Sequence, residues 1–91
     1  MDNVIELSID SAAGIIDCRL EPERIDGELV YSATILYPNV VDGFSRSEIY
    51  CYHMRPDAET GSYRFDGDED GVHPKIKKLE MQISDAIARG R

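Results

Sequence analysis

The sequence predicts a single α+β domain over residues 1–91, an antiparallel meander of four to five strands with one C-terminal helix packed on one face. Apolar and polar residues alternate, with the period of a strand, in successive segments between residues 4 and 55. Apolar residues then recur at helical spacing after Pro74. At 91 residues the chain is long enough for one hydrophobic core.

The first two segments are typical of a hairpin of half-buried strands. Small residues at positions 11–14 separate them and favour a turn. The alternating apolar residues are Ile5, Leu7 and Ile9 in the first segment and Ile16, Cys18 and Leu20 in the second. We therefore expect one face of this hairpin to be buried.

The third and fourth segments are apolar on both faces, which favours central positions in the sheet. Residues 28–37 form the longest strand candidate, and we expect Pro38 to end it before a loop at 39–45. In residues 46–55, Ile49, Cys51 and His53 share one face, whereas Tyr50, Tyr52 and Met54 share the other. Because one helix cannot cover two faces, we expect the side with Tyr50, Tyr52 and Met54 to be uncovered.

The last part of the chain predicts a short strand and a helix. Residues 62–65 form the strand candidate, and an acidic loop at 66–71 follows it. Proline is favoured at the first helical position, so Pro74 marks the start of the helix, and Gly90 marks its end. The spacing of Ile76, Leu79 and Ile83 predicts an amphipathic helix of about four turns.

Negative charge is concentrated in the first half of the chain. The net charge is −8, and residues 1–45 contain nine acidic residues against two arginines, a net of −7. Nucleic-acid binding depends on Lys and Arg neutralising phosphates, so direct nucleic-acid binding is disfavoured. The charge pattern favours a basic protein partner instead.

The sequence also predicts the compartment. No apolar run approaches the roughly 18 to 20 residues that cross a bilayer, and the start Met1-Asp2-Asn3 lacks the basic and then apolar pattern of a signal peptide. We therefore expect a cytoplasmic protein without membrane interaction. Cys18 and Cys51 lie in apolar stretches, where reduced thiols behave as small hydrophobic groups.

The sharpest local motif is the pattern D-x-D-x-D-G at residues 66–71, which matches the start of a calcium-binding loop. The match ends there, because Lys77 stands where a bidentate Glu should complete the coordination. We expect a solvated acidic loop and no cofactor. The alternative is a Ca²⁺-binding module that uses Asp66, Asp68 and Asp70.

Enzyme signatures are missing from the sequence. There is no glycine-rich phosphate loop, G-x-S-x-G or H-E-x-x-H motif. Cys18, Cys51, His53 and His73 do not have the spacing of a zinc finger or ribbon. We expect a protein that is not an enzyme, and the alternative is a catalytic site built on His53 and His73.

Three short patterns, Y-x-Y-H at 50–53, G-x-Y-R-F-D at 61–66 and H-P at 73–74, resemble a motif of TumE-type small bacterial toxin-antitoxin proteins. Those proteins carry a tyrosine-histidine strand end, a Phe-Arg-Tyr-Asp-like strand and a His-His-Pro turn. Here Val72 replaces the first His of that pair, and the later histidine-rich tail is missing. The resemblance covers residues 50–74 only and implicates His53, Arg64, Asp66 and His73.

We therefore expect a small, non-enzymatic bacterial or phage protein of the antitoxin, immunity or phage-encoded inhibitor type, which docks an acidic sheet face on a basic protein. Aromatic residues are enriched in binding hot spots, so Tyr50, Tyr52 and Met54 are the expected anchors. The expected charged rim comprises Glu6, Asp10, Asp17, Glu28, Asp66, Asp68, Glu69 and Asp70. A toxin-antitoxin protein with a histidine-based site remains the alternative, and a homodimer on the tyrosine face is compatible with each hypothesis.

Overall fold

A computed structural model of the chain describes residues 4–12, 14–41, 43–66 and 71–90. Its strands form one antiparallel sheet in the order β1-β2-β3-β4-β5, and helices follow. The elements are β1 (Ile5–Ser11), β2 (Gly14–Ile25), β3 (Glu28–Val41), β4 (Phe44–Pro56), β5 (Tyr63–Phe65), α1 (Pro74–Lys77) and α2 (Glu80–Gly90). The predicted α+β meander is confirmed.

The alternation in β2 shows which face of the sheet is buried. Cys18 and Leu20 are almost completely buried, whereas Asp17 and Arg19 between them are exposed. Leu20 lies opposite Ala33 of β3, which is also fully buried. Period-two patterning therefore runs from strand to strand and gives the sheet one dry face.

The C-terminal helices cover this dry face. Ile76 of α1 and Ile83 and Ile87 of α2 are fully buried in the same cluster as the strand side chains. Full burial of one such side chain stabilises the fold by about 1.5–3 kcal/mol. The helical spacing that predicted these core residues is confirmed.

The helix is divided, however, where the sequence predicted about four continuous turns. α1 is one turn long, and α2 begins at Glu80. Between them the amide of Leu79 donates to the carbonyl of Ile76 at 2.9 Å, the tighter i to i−3 bond of a 3₁₀ turn. Both Ile76 and Leu79 reach the core through this turn.

Strand β3 also differs from the prediction, because it continues through Pro38 to Val41. The last residue pair between β2 and β3 joins Asp17 and Leu36. Beyond Leu36 the strand pairs with β4 alone, and proline is tolerated at such edge positions. The expected loop at 39–45 is therefore mostly strand, with Val41 paired to Phe44.

Helix α2 closes one edge of the sheet. The backbone amides of Tyr63 and Phe65, on the outer edge of β5, donate to Ser84 Oγ at 2.9 Å and Glu80 Oε2 at 3.0 Å. Four residues of a helix rise about 6 Å. Two residues of a strand rise about 6.8 Å. Because these spacings are similar, two helix side chains can take the place of a sixth strand.

This edge contact predicts the effect of a single substitution. Ser84→Ala leaves the buried Tyr63 amide without its acceptor, and we expect the free energy of unfolding to fall by about 1–3 kcal/mol. Urea denaturation measures the change. Gln82→Ala, at an exposed position of the same helix, is the matched control and should change stability by less than about 0.5 kcal/mol. Equal effects of the two substitutions would contradict the role given to Ser84.

Candidate functional site

The face of the sheet opposite α2, which we call the open face, collects the acidic residues of the first three strands. Their side chains alternate with the buried ones and are exposed to solvent. The charged residues here are Glu6, Asp10, Asp17, Arg19, Glu21, Glu23 and Glu28. Four predicted rim residues therefore lie on one surface, namely Glu6, Asp10, Asp17 and Glu28.

Arg19 partly neutralises this surface. Its guanidinium lies 2.8 Å from Glu6 Oε1 and 3.0 Å from Glu21 Oε1. The hydrogen bond to Glu21, together with attraction from both carboxylates, raises the pKa of Arg19 further above its usual value. All three side chains are more than half exposed, so the pairs are screened by solvent. On the open face of β1 to β3, the described carboxylates outnumber Arg19, since Arg24 has the other parity in β2.

The cations of β4 and β5 on the open face contact neighbouring carboxylates. Arg55 Nε lies 3.0 Å from Asp66 Oδ2, and its Nη1 lies 3.9 Å from Glu28 Oε1. Arg64 Nε lies 2.9 Å from Asp57 Oδ2. Asp66, predicted as a rim residue, is therefore held by Arg55, and the negative charge of the face is greatest toward β1 and β2.

Exposed apolar side chains form a row beside the carboxylates. Ile15, Leu36 and Ile49 are 59%, 36% and 66% exposed. In the register Leu36 lies directly opposite Ile49 of β4, whereas its partner in β2 is Asp17, so Ile15 is a diagonal neighbour of Leu36. Diagonal neighbours are still within reach of long side chains. Contiguous exposed apolar groups are a feature of interaction sites. This row was not predicted from the sequence, although Ile15 and Leu36 both occupy positions that alternate with the buried residues of their strands.

The predicted anchors lie on the other side of the sheet, so the expectation of an uncovered tyrosine face was wrong. Met54 has no exposed surface, and Tyr50 and Tyr52 are half-buried against the core. The reason is the register of β4. It places Tyr50 opposite Ile35, Tyr52 opposite Ala33 and Met54 opposite Tyr31, residues that are all buried.

The tyrosines instead help to hold α1 on the sheet, through Glu48. Its carboxylate accepts hydrogen bonds from Lys75 Nζ at 2.8 Å, from Asn39 Nδ2 at 2.6 Å and from the hydroxyl of Tyr50. The Lys75 ammonium also lies 4.5 Å from the ring centre of Tyr37, within cation–π range. Hydrogen bonds from Lys75 first, and then from Tyr50, lower the pKa of Glu48 from 4.5 to about 2.

The two histidines lie on opposite sides of the sheet. His53 is on the open face, with Nε2 3.6 Å from Glu23 Oε2. His73 precedes α1 on the covered side, where its Nδ1 accepts from the Lys75 amide at 3.3 Å and its ring centre lies 5.7 Å from that of Tyr50. The fold therefore does not bring His53 and His73 together into one site.

The cysteines are separated in the same way. Cys18 is buried on the covered face, Cys51 is exposed on the open face, and both are free. Burial, and then the charge of Asp17, raises the pKa of Cys18 to about 11, so this thiol stays protonated. Within residues 4–12, 14–41, 43–66 and 71–90, no cluster of three or more His, Cys, Asp or Glu side chains could hold a metal.

Part of the acidic loop falls outside the described residues. Asp68, Glu69 and Asp70 lie in this part, so their predicted roles in the charged rim stay predictions. The same applies to the Ca²⁺ alternative, of whose three carboxylates the structure describes that of Asp66.

Comparison with other proteins adds no relative. No family model matches the chain, and no curated protein or solved structure is significantly similar to it. In the part of the chain that the structure describes, neither helix has the length and apolar character required to span a membrane. The open face is therefore the feature from which a function can be inferred.

The two sides of β4 predict opposite responses to truncation. Met54→Ala should lower the free energy of unfolding by about 2–5 kcal/mol, because it empties a fully buried site. Ile49→Ala, on the exposed side of the same strand, should change stability by less than about 0.5 kcal/mol. Chemical denaturation of both variants measures this. A large loss for Ile49→Ala would show that the open face is covered in solution.

The lowered pKa of Glu48 predicts a pH dependence of stability. A carboxyl group with a folded pKa of about 2 and an ordinary value of 4.5 stabilises the fold above pH 4.5. This contribution falls as the pH drops through that range toward 2. The unfolding free energy of Glu48→Gln should therefore be lower than that of the parent at pH 6, and the difference should shrink toward pH 2.

Urea titrations at several pH values measure this difference. Glu59→Gln, in an exposed turn, is the matched control and should leave the free energy of unfolding at pH 6 within about 0.5 kcal/mol of the parent. A constant offset between Glu48→Gln and the parent across the whole range would contradict the assignment.

Proposed function

We propose that this chain is a small, non-enzymatic binding protein whose open face docks on a basic protein, in the manner of antitoxins, immunity proteins and phage-encoded inhibitors. One observation supports this most. The carboxylates of β1 to β3 share a solvent-exposed sheet face with the apolar row Ile15, Leu36 and Ile49. The carboxylates of such a surface can attract a cationic partner from a distance, and its apolar side chains can release water when the partner makes contact.

The two components of the face have different roles in the proposed complex. Carboxylates that stay hydrated at the rim raise the association rate with a cationic partner and exclude acidic ones. Apolar side chains lose water in the complex and slow its dissociation. Ile15 and Ile49 each keep more than half of their surface exposed in the free chain, so they have area to bury.

Placing the contact on the open face changes which residues act as anchors. Met54 has no exposed surface to offer, and the hydroxyl of Tyr50 is engaged by Glu48. The apolar row Ile15, Leu36 and Ile49 therefore replaces Tyr50, Tyr52 and Met54 as the proposed set of anchors. The charged rim of Glu6, Asp10, Asp17 and Glu28 is retained from the sequence analysis.

Site-specific photo-crosslinking tests the location of the contact. A photoreactive phenylalanine analogue replaces Ile49 on the open face or Met81 on α2, side chains that are equally exposed at 66% and 64%. In cells of the source organism, position 49 should give an adduct with a basic protein, and position 81 should not. No adduct at 49, or the same adduct from both positions, would contradict the proposal.

Neutralising the carboxylates tests the electrostatic part. The triple variant Glu6→Gln, Asp10→Asn, Asp17→Asn should reduce the yield of the adduct from position 49, and added salt should reduce it in the parent, because screening weakens steering between exposed charges. The control is Glu59→Gln, which removes an exposed charge outside the open face. A yield that is insensitive to both the substitutions and the salt would contradict a cationic partner.

A further inference from the structure

The two edges of the sheet differ in what lies beside them. On β5, the outward amides of Tyr63 and Phe65 are taken up by Ser84 and Glu80 of α2. On β1, the described residues include a strand on one side alone, β2. A strand edge with unpaired backbone groups is a template for an added strand.

A groove runs along the β1 edge. It has a volume of about 720 Å³ and lies between residues 5–10 of β1 and the side of α2 that carries Gln82, Asp85, Ala86 and Arg89. Ile5 and Leu7 are half-buried at this groove, so their apolar surface is only partly used by the core. Alternate side chains of an added strand would enter the groove and contact Ile5, Leu7 and Ala86.

The other side chains of an added strand would point to the open face. Directly opposite residues on neighbouring strands have Cβ atoms about 4.5–5.5 Å apart, so these side chains would lie beside Glu6 and Asp10. On the groove side of the edge, α2 presents one carboxylate and one cation, Asp85 and Arg89, beside its apolar lining. An occupant whose basic and apolar residues alternate fits both sides.

A second copy of this chain fits less well. Antiparallel pairing of two β1 strands would place Glu6 and Asp10 of both copies on one continuous sheet face. Like charges on neighbouring strands destabilise the pairing. Charge therefore favours a cationic segment of another protein over self-association at this edge.

We propose that the β1 edge binds an extended segment of the partner by strand addition, and that this segment alternates basic residues toward the open face with apolar residues toward the groove. The proposal rests on the proposed function, because it takes the same basic protein as the partner. It adds the mode of binding, in which the partner continues the sheet as a sixth strand.

A synthetic peptide tests the mode of binding without altering the protein. The probe has the seven-residue length of β1 and alternates lysine with valine, and its binding to the full chain is followed by fluorescence anisotropy. Two further peptides are N-methylated, one on every lysine and the other on every valine. In an extended strand these two sets of amides point to opposite edges.

If the peptide binds by strand addition, the two methylated peptides should differ in affinity. The peptide with its β1-facing amides blocked should bind about tenfold more weakly or worse, whereas the other should stay within about twofold of the parent peptide. Equal, salt-sensitive binding of both would overturn strand addition but leave the open face as a docking surface. If the unmethylated peptide fails to bind, strand addition is overturned, and crosslinking from position 49 still judges the proposed function separately.

Two controls test where the peptide binds and whether a second copy of the chain occupies the β1 edge instead. Asp10→Asn, on the open-face side of the β1 edge, should weaken binding of the lysine peptide by about two- to fivefold, whereas Glu59→Gln should leave it unchanged. Equal effects of these two substitutions would place the peptide elsewhere. Light scattering supplies the second control. If the free protein is a dimer that the peptide dissociates, a second copy is the occupant of the β1 edge, and the proposal is overturned.

Discussion

Burial of a single face of the sheet determines where the other parts of this molecule lie. The chain has one helical segment after its five strands, so α1 and α2 cover one face and the other stays in water. Because neighbouring side chains of a strand point to opposite faces, parity separates the core residues of the meander from those of the open face. Val30 is an exception, since it is fully buried at an open-face position of β3. The acidic open face is the counterpart of the core in this arrangement.

Much of this arrangement was readable from the sequence. Alternation in β2 identified Cys18 and Leu20 as core residues, and helical spacing did the same for Ile83. The positions of the charged rim also followed, since Glu6 and Asp17 alternate with those core residues. These predictions succeeded because a strand with one apolar phase leaves a single choice of buried face.

The side chains of β4 could not be assigned in this way, because both phases of that strand are apolar. The register of β4 against β3 decides which of its two faces is buried, and turn residues in the sequence indicate that register. Asp26 and Gly27, both with positive φ, form a two-residue turn that pairs Ile25 with Glu28. Val41 pairs with Phe44 between β3 and β4. Counting from these pairs places Tyr50 beside Ile35 in the core. No sequence pattern predicted that Ser84 and Glu80 accept hydrogen bonds from the amides of β5, since these contacts depend on how α2 crosses β5.

The closure of β5 by α2 also bears on the integrity of the chain after cleavage. A protease cut before Glu80 would remove both acceptors of the β5 amides together with Ile83 and Ile87 of the core, whereas Ile76 of α1 would remain. The remaining ribbon would have two free edges that are not equivalent to each other. Contacts between unlike edges form open chains unless their rotation closes a ring, so we expect such a fragment to self-associate, which the eleven-residue helix α2 opposes by covering the edge of β5.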